Sequence, residues 1–193
     1  MFISIIMGGN HIGTKINLVA LSGSIRKQSS TQKTLHSLKH FMPEKVDYGI
    51  YNVIENLPHF NPELDGDEPP EEVQVYRELL SGADGVIICT PEYIKGVPGV
   101  LKNALEWLVS SAELYTKPVA VITASGNGEN AHHSLQLNLS MLNANVFEGG
   151  TLLISGADSK LNGDGEFVKS EVTASLKLLI SKLIEEINKE KSY

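Results

Sequence analysis

Three short runs of this chain, residues 16–21, 86–89 and 118–123, are nearly unbroken apolar sequence rich in branched side chains. A strand with one wet face alternates polar and apolar residues, so runs like these suit strands buried on both faces. Two weaker strand candidates join them: residues 46–53, which alternate, and 151–155, short but branched and aliphatic. Between the strands lie segments with helical spacing, at residues 30–41, 71–80, 98–111, 131–143 and 170–189. The last sets Leu176, Leu179, Ile180, Leu183, Ile184 and Ile187 on one stripe opposite Lys and Glu, an amphipathic helix that needs a sheet to cover. Pro98 and Gly99 suit a helix start, where the missing proline N–H would have no partner anyway. Strict strand–helix alternation implies parallel strands joined by right-handed crossovers, with helices on both faces: a three-layer α/β sandwich.

Five such strands suggest the order 2-1-3-4-5, the flavodoxin-like arrangement. Crossover direction then reverses between the first and third strands, and a ligand can enter the crevice at their carboxyl ends. The loops after Leu21 and Thr90 are therefore the first places to look for a site. At 193 residues, 41% hydrophobic and 20% charged, the chain can bury one sizeable core. We expect a single domain over residues 16–193, preceded by an extension at 1–15. The apolar run at residues 1–7 lacks the length to span a membrane and the flanks of an export signal. The single cysteine, Cys89, cannot form an internal disulfide and reads as a buried strand residue; the expected compartment is the cytoplasm. A formal charge of −7 with scattered basic residues makes nucleic acid a poor partner.

After the first strand the chain reads Ser22-Gly23-Ser24-Ile25-Arg26-Lys27-Gln28-Ser29-Ser30-Thr31 and runs into a helix. Hydroxyls, a guanidinium and the free N–H groups of a helix start together make an anion cradle. The alternative is a Ser/Thr helix cap beside an incidental arginine, and this segment alone leaves both open. It is not a Walker A loop, because Gln28 and Ser29 stand where that motif needs Gly and Lys. The third strand ends in Thr90-Pro91-Glu92-Tyr93-Ile94-Lys95-Gly96, an aromatic between Pro and Gly that offers a flat surface to a planar heterocycle. On its own this loop leans toward an ordinary connection, with Tyr93 packed on the next helix. Ser125-Gly126-Asn127-Gly128 follows the fourth strand and, with Ala131 and Glu148, imitates a dinucleotide fingerprint in an unusual place.

Three other patterns read as structural. His36 and His40 share a helix face without the glutamate of a zinc-protease motif and read as a solvated pair. His132 and His133 open a helix beside the third loop, where they either touch substrate or cap. Asp158, Asn162, Asp164 and Glu166 imitate a calcium loop, but Lys169 occupies its twelfth position, leaving a polar turn.

Gly23-Ser24-Ile25-Arg26-Lys27-Gln28-Ser29, then Leu57-Pro58-His59-Phe60-Asn61-Pro62-Glu63-Leu64-Asp65, then Pro91-Glu92-Tyr93 with Gly99-Val100-Leu101-Lys102-Asn103-Ala104-Leu105-Glu106-Trp107, together resemble the NADPH-dependent FMN reductase family. The resemblance spans about residues 15–183. It implies that Gly23, Ser24, Arg26, Ser29, Ser30 and Thr31 hold the FMN phosphate, with Thr31 where many relatives have Asn. It also implies that Pro91, Glu92, Tyr93 and Ile94 line the isoalloxazine, Ile94 again replacing a usual Asn. Ser125, Gly126, Asn127 and Gly128 would meet the pyrimidine edge.

The implied activity is hydride transfer from NADPH or NADH to FMN N5, then reduction of a small-molecule acceptor in the same space, a ping-pong scheme. Acceptors in the family include flavins, quinones, azo dyes and metal ions such as chromate. No side chain is needed as a proton-transfer catalyst, and no metal is expected. A homodimer or homotetramer is implied, through apolar surface on the helix carrying Val100, Leu101, Leu105, Trp107 and Leu108. The competing readings are a flavodoxin-type electron carrier and a flavin-binding sensory module without turnover.

Overall fold

The computed structural model describes residues 15–162 and 164–192; apart from Lys15, the expected N-terminal extension lies outside them. Five strands, β1 (Ile16–Ser22), β2 (Val46–Tyr51), β3 (Gly85–Thr90), β4 (Val119–Ser125) and β5 (Thr151–Ser155), form one sheet in the order β2-β1-β3-β4-β5. Every neighbouring pair is parallel. The helices are α1 (Ser30–Leu38), α2 (Glu71–Ser81), α3 (Gly99–Glu106), α4 (Glu129–Met141) and α5 (Ser170–Glu190).

Alternate side chains of the central strands enter two separate cores. Val19, Leu21, Val86, Ile88, Val119 and Val121 pack with α2, α3 and α4 through residues such as Tyr76, Leu101 and Leu135. Leu18, Ala20, Ile87, Cys89, Ala120 and Ile122 pack with α1 and α5. Both faces are dry, which is why the parent sequences are continuous apolar runs rather than alternating ones. The α5 stripe is buried throughout, from Leu176 to Ile187, as its spacing requires.

Boundaries depart from the sequence reading where a long-range contact decides them. β4 continues past Thr123 to Ser125 because it keeps pairing with β5 as far as Ser155. β2 stops at Tyr51, and Val53–Asn56 coils into a 3-10 turn. α3 ends at Glu106, five residues early. The apolar residues expected to offer partner surface there, Leu101, Leu105, Trp107 and Leu108, are all buried in the chain's own core, and only Val100 is half-buried. The pairing surface argued from that helix is thus largely used internally.

The long connection after β2 is clamped onto α3. Asn103 accepts a hydrogen bond from the Phe60 N–H at 2.8 Å and donates to the Pro58 carbonyl at 2.9 Å. The Trp107 indole N–H donates to the same carbonyl at 2.8 Å, and its ring meets Phe60 edge-on, 5.1 Å between centroids. Farther along, Asp65 receives Arg77 at 2.6 Å and the Ser110 hydroxyl at 2.7 Å. Backbone groups with no ladder to join are satisfied by the side chains of Asn103 in α3 and Trp107 just after it, which holds the connection against that helix. Asn103→Ala leaves the Phe60 N–H without its acceptor, and we expect a loss of about 1–3 kcal/mol in urea unfolding.

Candidate active site

The carboxyl ends of β1, β3 and β4 carry three loops, and polar contacts tie them around one crevice. In the first, the Ser22 hydroxyl donates to the Ser24 carbonyl at 2.9 Å and accepts from the Ser24 N–H at 3.2 Å, turning the chain as it leaves β1. Gly23 lies against β3, its N–H donating to the Cys89 carbonyl at 2.7 Å. A Cβ there would stand 2.7 Å from Thr90 Oγ1 and 3.0 Å from Leu101 Cδ2, so close approach, not an unusual φ, explains the glycine. Ser24 Oγ accepts from the Arg26 N–H at 3.3 Å, and Ser29 caps α1 by accepting from the Gln32 N–H at 3.1 Å.

What remains uncommitted in this loop suits an anion. Ser30 and Thr31 open α1, where N–H groups lack acceptors within the helix. The Thr31 hydroxyl is buried without a hydrogen-bond partner among the described residues. Arg26 is exposed and forms no ion pair among them. The Ser29 hydroxyl proton is free to donate, whereas the Ser30 hydroxyl is committed to the Ala124 carbonyl at 3.2 Å, joining this loop to β4. A buried hydroxyl left unpaired is costly unless a ligand supplies its partner, so the residues present fit a phosphate. A cavity on the β2 side of the loop, lined by Ser22, Ser24, Ile25, Gln32, Asn52 and Ile54, opens beside this cradle.

The second loop keeps Pro91 buried and Tyr93 about half exposed, its hydroxyl 3.4 Å from Ser24 Oγ. Tyr93 therefore reaches across to the first loop instead of being enclosed by α3. Reciprocal backbone bonds between Tyr93 and Gly96, 3.0 and 3.1 Å, close a two-residue turn. Its central residues, Ile94 and Lys95, have φ of +48° and +58°. For a β-branched residue that conformation is strained by about 1–2 kcal/mol, and Ile94 is fully exposed, with no packing to offset it.

Glu92 joins the second loop to the third in a way its sequence position does not announce. Its carboxylate accepts from the N–H groups of Asn130 and Ala131 at 2.9 and 3.0 Å, capping α4, while its own N–H donates to Ser125 Oγ at 3.1 Å. The carboxylate of this residue, expected to line the isoalloxazine, is turned to the helix start. Gly128, at φ +98°, lets α4 begin two residues before the apolar spacing suggests; a Cβ would meet Leu153 and Thr123 at 2.9 Å. Gly126 has open space instead, and Ser155 holds the loop by donating to the Asn127 carbonyl at 2.9 Å.

His132 sits under this loop with Nδ1 2.9 Å from Thr123 Oγ1, and burial pulls its pKa below the usual 6.5. Cys89 is fully buried, and burial pushes its thiol pKa up, so it behaves as core. Asn162 accepts from the N–H groups of Asp164 and Glu166, a polar turn as its sequence suggested.

The parallel sheet, the anion-receptive turn at a helix start and the exposed aromatic beside it define a flavodoxin-like mononucleotide-binding protein. Comparison with known proteins narrows the class. The model of the family described as NADPH-dependent FMN reductase matches residues 16–159. An NADPH azoreductase of Bacillus sp. (strain OY1-2) is 31% identical over 91% of this chain and 98% of its own length. A quinone reductase of Escherichia coli (strain K12) is 32% identical over 72% of this chain and 79% of its own. Among solved structures, the flavoenzyme NAD(P)H:(acceptor) oxidoreductase FerB from Paracoccus denitrificans aligns with a TM-score of 0.73 at 24% identity, over 90% of this chain and 98% of that one. The chain belongs to the NADPH-dependent FMN reductase family, flavin oxidoreductases that use reduced nicotinamide.

A histidine whose folded pKa is depressed contributes stability that is complete above its unfolded value, near pH 6.5, and is lost as pH falls through the folded value. Imidazole NMR should place the His132 midpoint below 6.5. His132→Gln should flatten that part of the stability-against-pH curve.

Proposed function

We propose that this chain is an NAD(P)H-dependent FMN reductase whose acceptors are small quinone and azo compounds, and that the loop-one residues are its phosphate site. The carrying observation is the set of free donors at the start of α1, the exposed Arg26 and the unpaired buried Thr31 hydroxyl, beside the exposed Tyr93 face. The relatives' names, azoreductase and quinone reductase, support the acceptor class.

When bound, FMN supplies a ring that takes two electrons as hydride from reduced nicotinamide and yields them to an acceptor. The chain's own residues do the holding. Arg26, the hydroxyls of Ser29 and Thr31, and the N–H groups at the α1 start would hold the phosphate dianion. Tyr93 and Pro91 would line the ring from the second loop, and the 125–128 loop, stiffened by Glu92 and Ser155, would line it from the third. Glu92 and His132 are committed to α4 and Thr123, so neither is assigned a proton transfer. Overall, NAD(P)H, one proton and a quinone give NAD(P)+ and a hydroquinone. One crevice serves both substrates in turn, which is the ping-pong order. The carrier and sensory readings gain no support from the relatives, whose printed names are those of reductases.

Purified protein loaded with FMN should bleach on anaerobic addition of NADPH or NADH and regain colour with a quinone. Protein that takes up no FMN rules the reading out. Arg26→Ala removes one charge-assisted contact and should weaken FMN binding roughly ten- to a hundredfold by fluorescence titration.

A further inference from the structure

The start of α4 cannot be capped by its own sequence. A helix is ordinarily capped by a side chain one position before its first turn; here that position is Gly128, which makes no capping hydrogen bond. A capping side chain does not fit there, because φ is +98° and a Cβ would stand 2.9 Å from both Leu153 Cδ1 and Thr123 Cγ2. The donors are met instead from the loop after β3. One oxygen of the Glu92 carboxylate, Oε2, accepts from both the Asn130 and the Ala131 N–H, at 2.9 and 3.0 Å.

That substitution of a distant cap for a local one has a consequence for the crevice. Among the described residues, the hydrogen bonds between residues 91–96 and 125–131 are all made by Glu92: the two caps, and the one its own N–H donates to Ser125 Oγ. On its other side the third loop is tied to β5, where the Gly156 N–H donates to the Gly126 carbonyl at 3.0 Å and Ser155 donates to Asn127. The setting of the Tyr93 loop against the Ser125–Gly128 loop therefore rests on a single residue.

We propose that Glu92 is a positioning residue, which by capping α4 fixes the second and third loops against one another and so prepares the ring end of the flavin site. It acts through the loops, while Arg26 and the start of α1 serve the phosphate end. This rests on the reductase reading above. Without the cap, the first turn of α4 opens in the flavin-free protein, and ordering it again is subtracted from the free energy of binding.

Riboflavin has the ring without the phosphate, so fluorescence titrations with riboflavin and with FMN separate the two ends. Glu92→Ala should weaken both flavins by the same factor, about tenfold, the scale of a lost helix cap. Arg26→Ala should weaken FMN and leave riboflavin at the parent value. Glu92→Gln is the rescue: its amide oxygen can accept both N–H groups in place of Oε2, and both flavins should bind within about threefold of the parent. In the flavin-free protein, exchange of the Asn130 and Ala131 amides should quicken roughly tenfold in Glu92→Ala and not in Glu92→Gln, with β3 and β4 amides unchanged. Glu92→Asp, one methylene shorter, serves the same comparison if Glu92→Ala does not fold.

An uncapped variant that melts lower yet binds both flavins as the parent does overturns the proposal, since the residue then contributes stability alone. So does Glu92→Gln losing as much affinity as Glu92→Ala, which would make charge the cause, or a loss confined to FMN, which would place Glu92 at the phosphate end. A parent protein that binds neither flavin removes the underlying reading instead, while amide exchange still reports on the cap, so the two failures are distinguishable.

Discussion

Covering a parallel sheet with helices on both faces closes its broad surfaces to ligands, and the ends of the strands become the place where backbone groups can still meet a small molecule. In this chain the constraint operates through β1, β3 and β4, whose side chains fill two dry cores and whose carboxyl ends emerge side by side. The reversal of crossover direction between β1 and β3 separates the loops there, and the crevice follows from topology before any particular side chain is considered.

Topology alone would leave three loose loops. They are joined by a small number of polar contacts that each link different strands: Ser30 to Ala124, Glu92 to Ser125 and to the start of α4, Ser24 to Tyr93, and Ser155 to Asn127. Behind them, Asn103 and Trp107 anchor the 57–65 segment to α3. This explains why a motif far from the crevice accompanies the two that line it. It orders α3, and α3 in turn seats the second loop and packs Leu101 against Gly23.

The sheet order, the helix faces and the turn into α1 are legible because each has a local signature: continuous apolar runs, helical spacing, and a glycine and hydroxyls before a helix. The capping of α4 by Glu92 is not legible in the sequence, since Asn130 and Ala131 lie nearly forty residues away and no periodicity announces the contact. β4 runs past its apolar residues for a similar reason, Ser125 and Ser155 being polar residues held extended by pairing. The apolar residues of α3 looked surplus to a sheet-facing stripe. They are enclosed because the long connection folds back over Trp107, a contact that sequence spacing does not reveal.

Quinones are electrophiles as well as oxidants, and a thiolate near one is open to irreversible addition. The chain's only sulfhydryl, Cys89, lies in the middle strand under α1 and α5, and burial keeps it in the protonated, unreactive form. A chain of this construction presents no reactive thiol to an arylating compound.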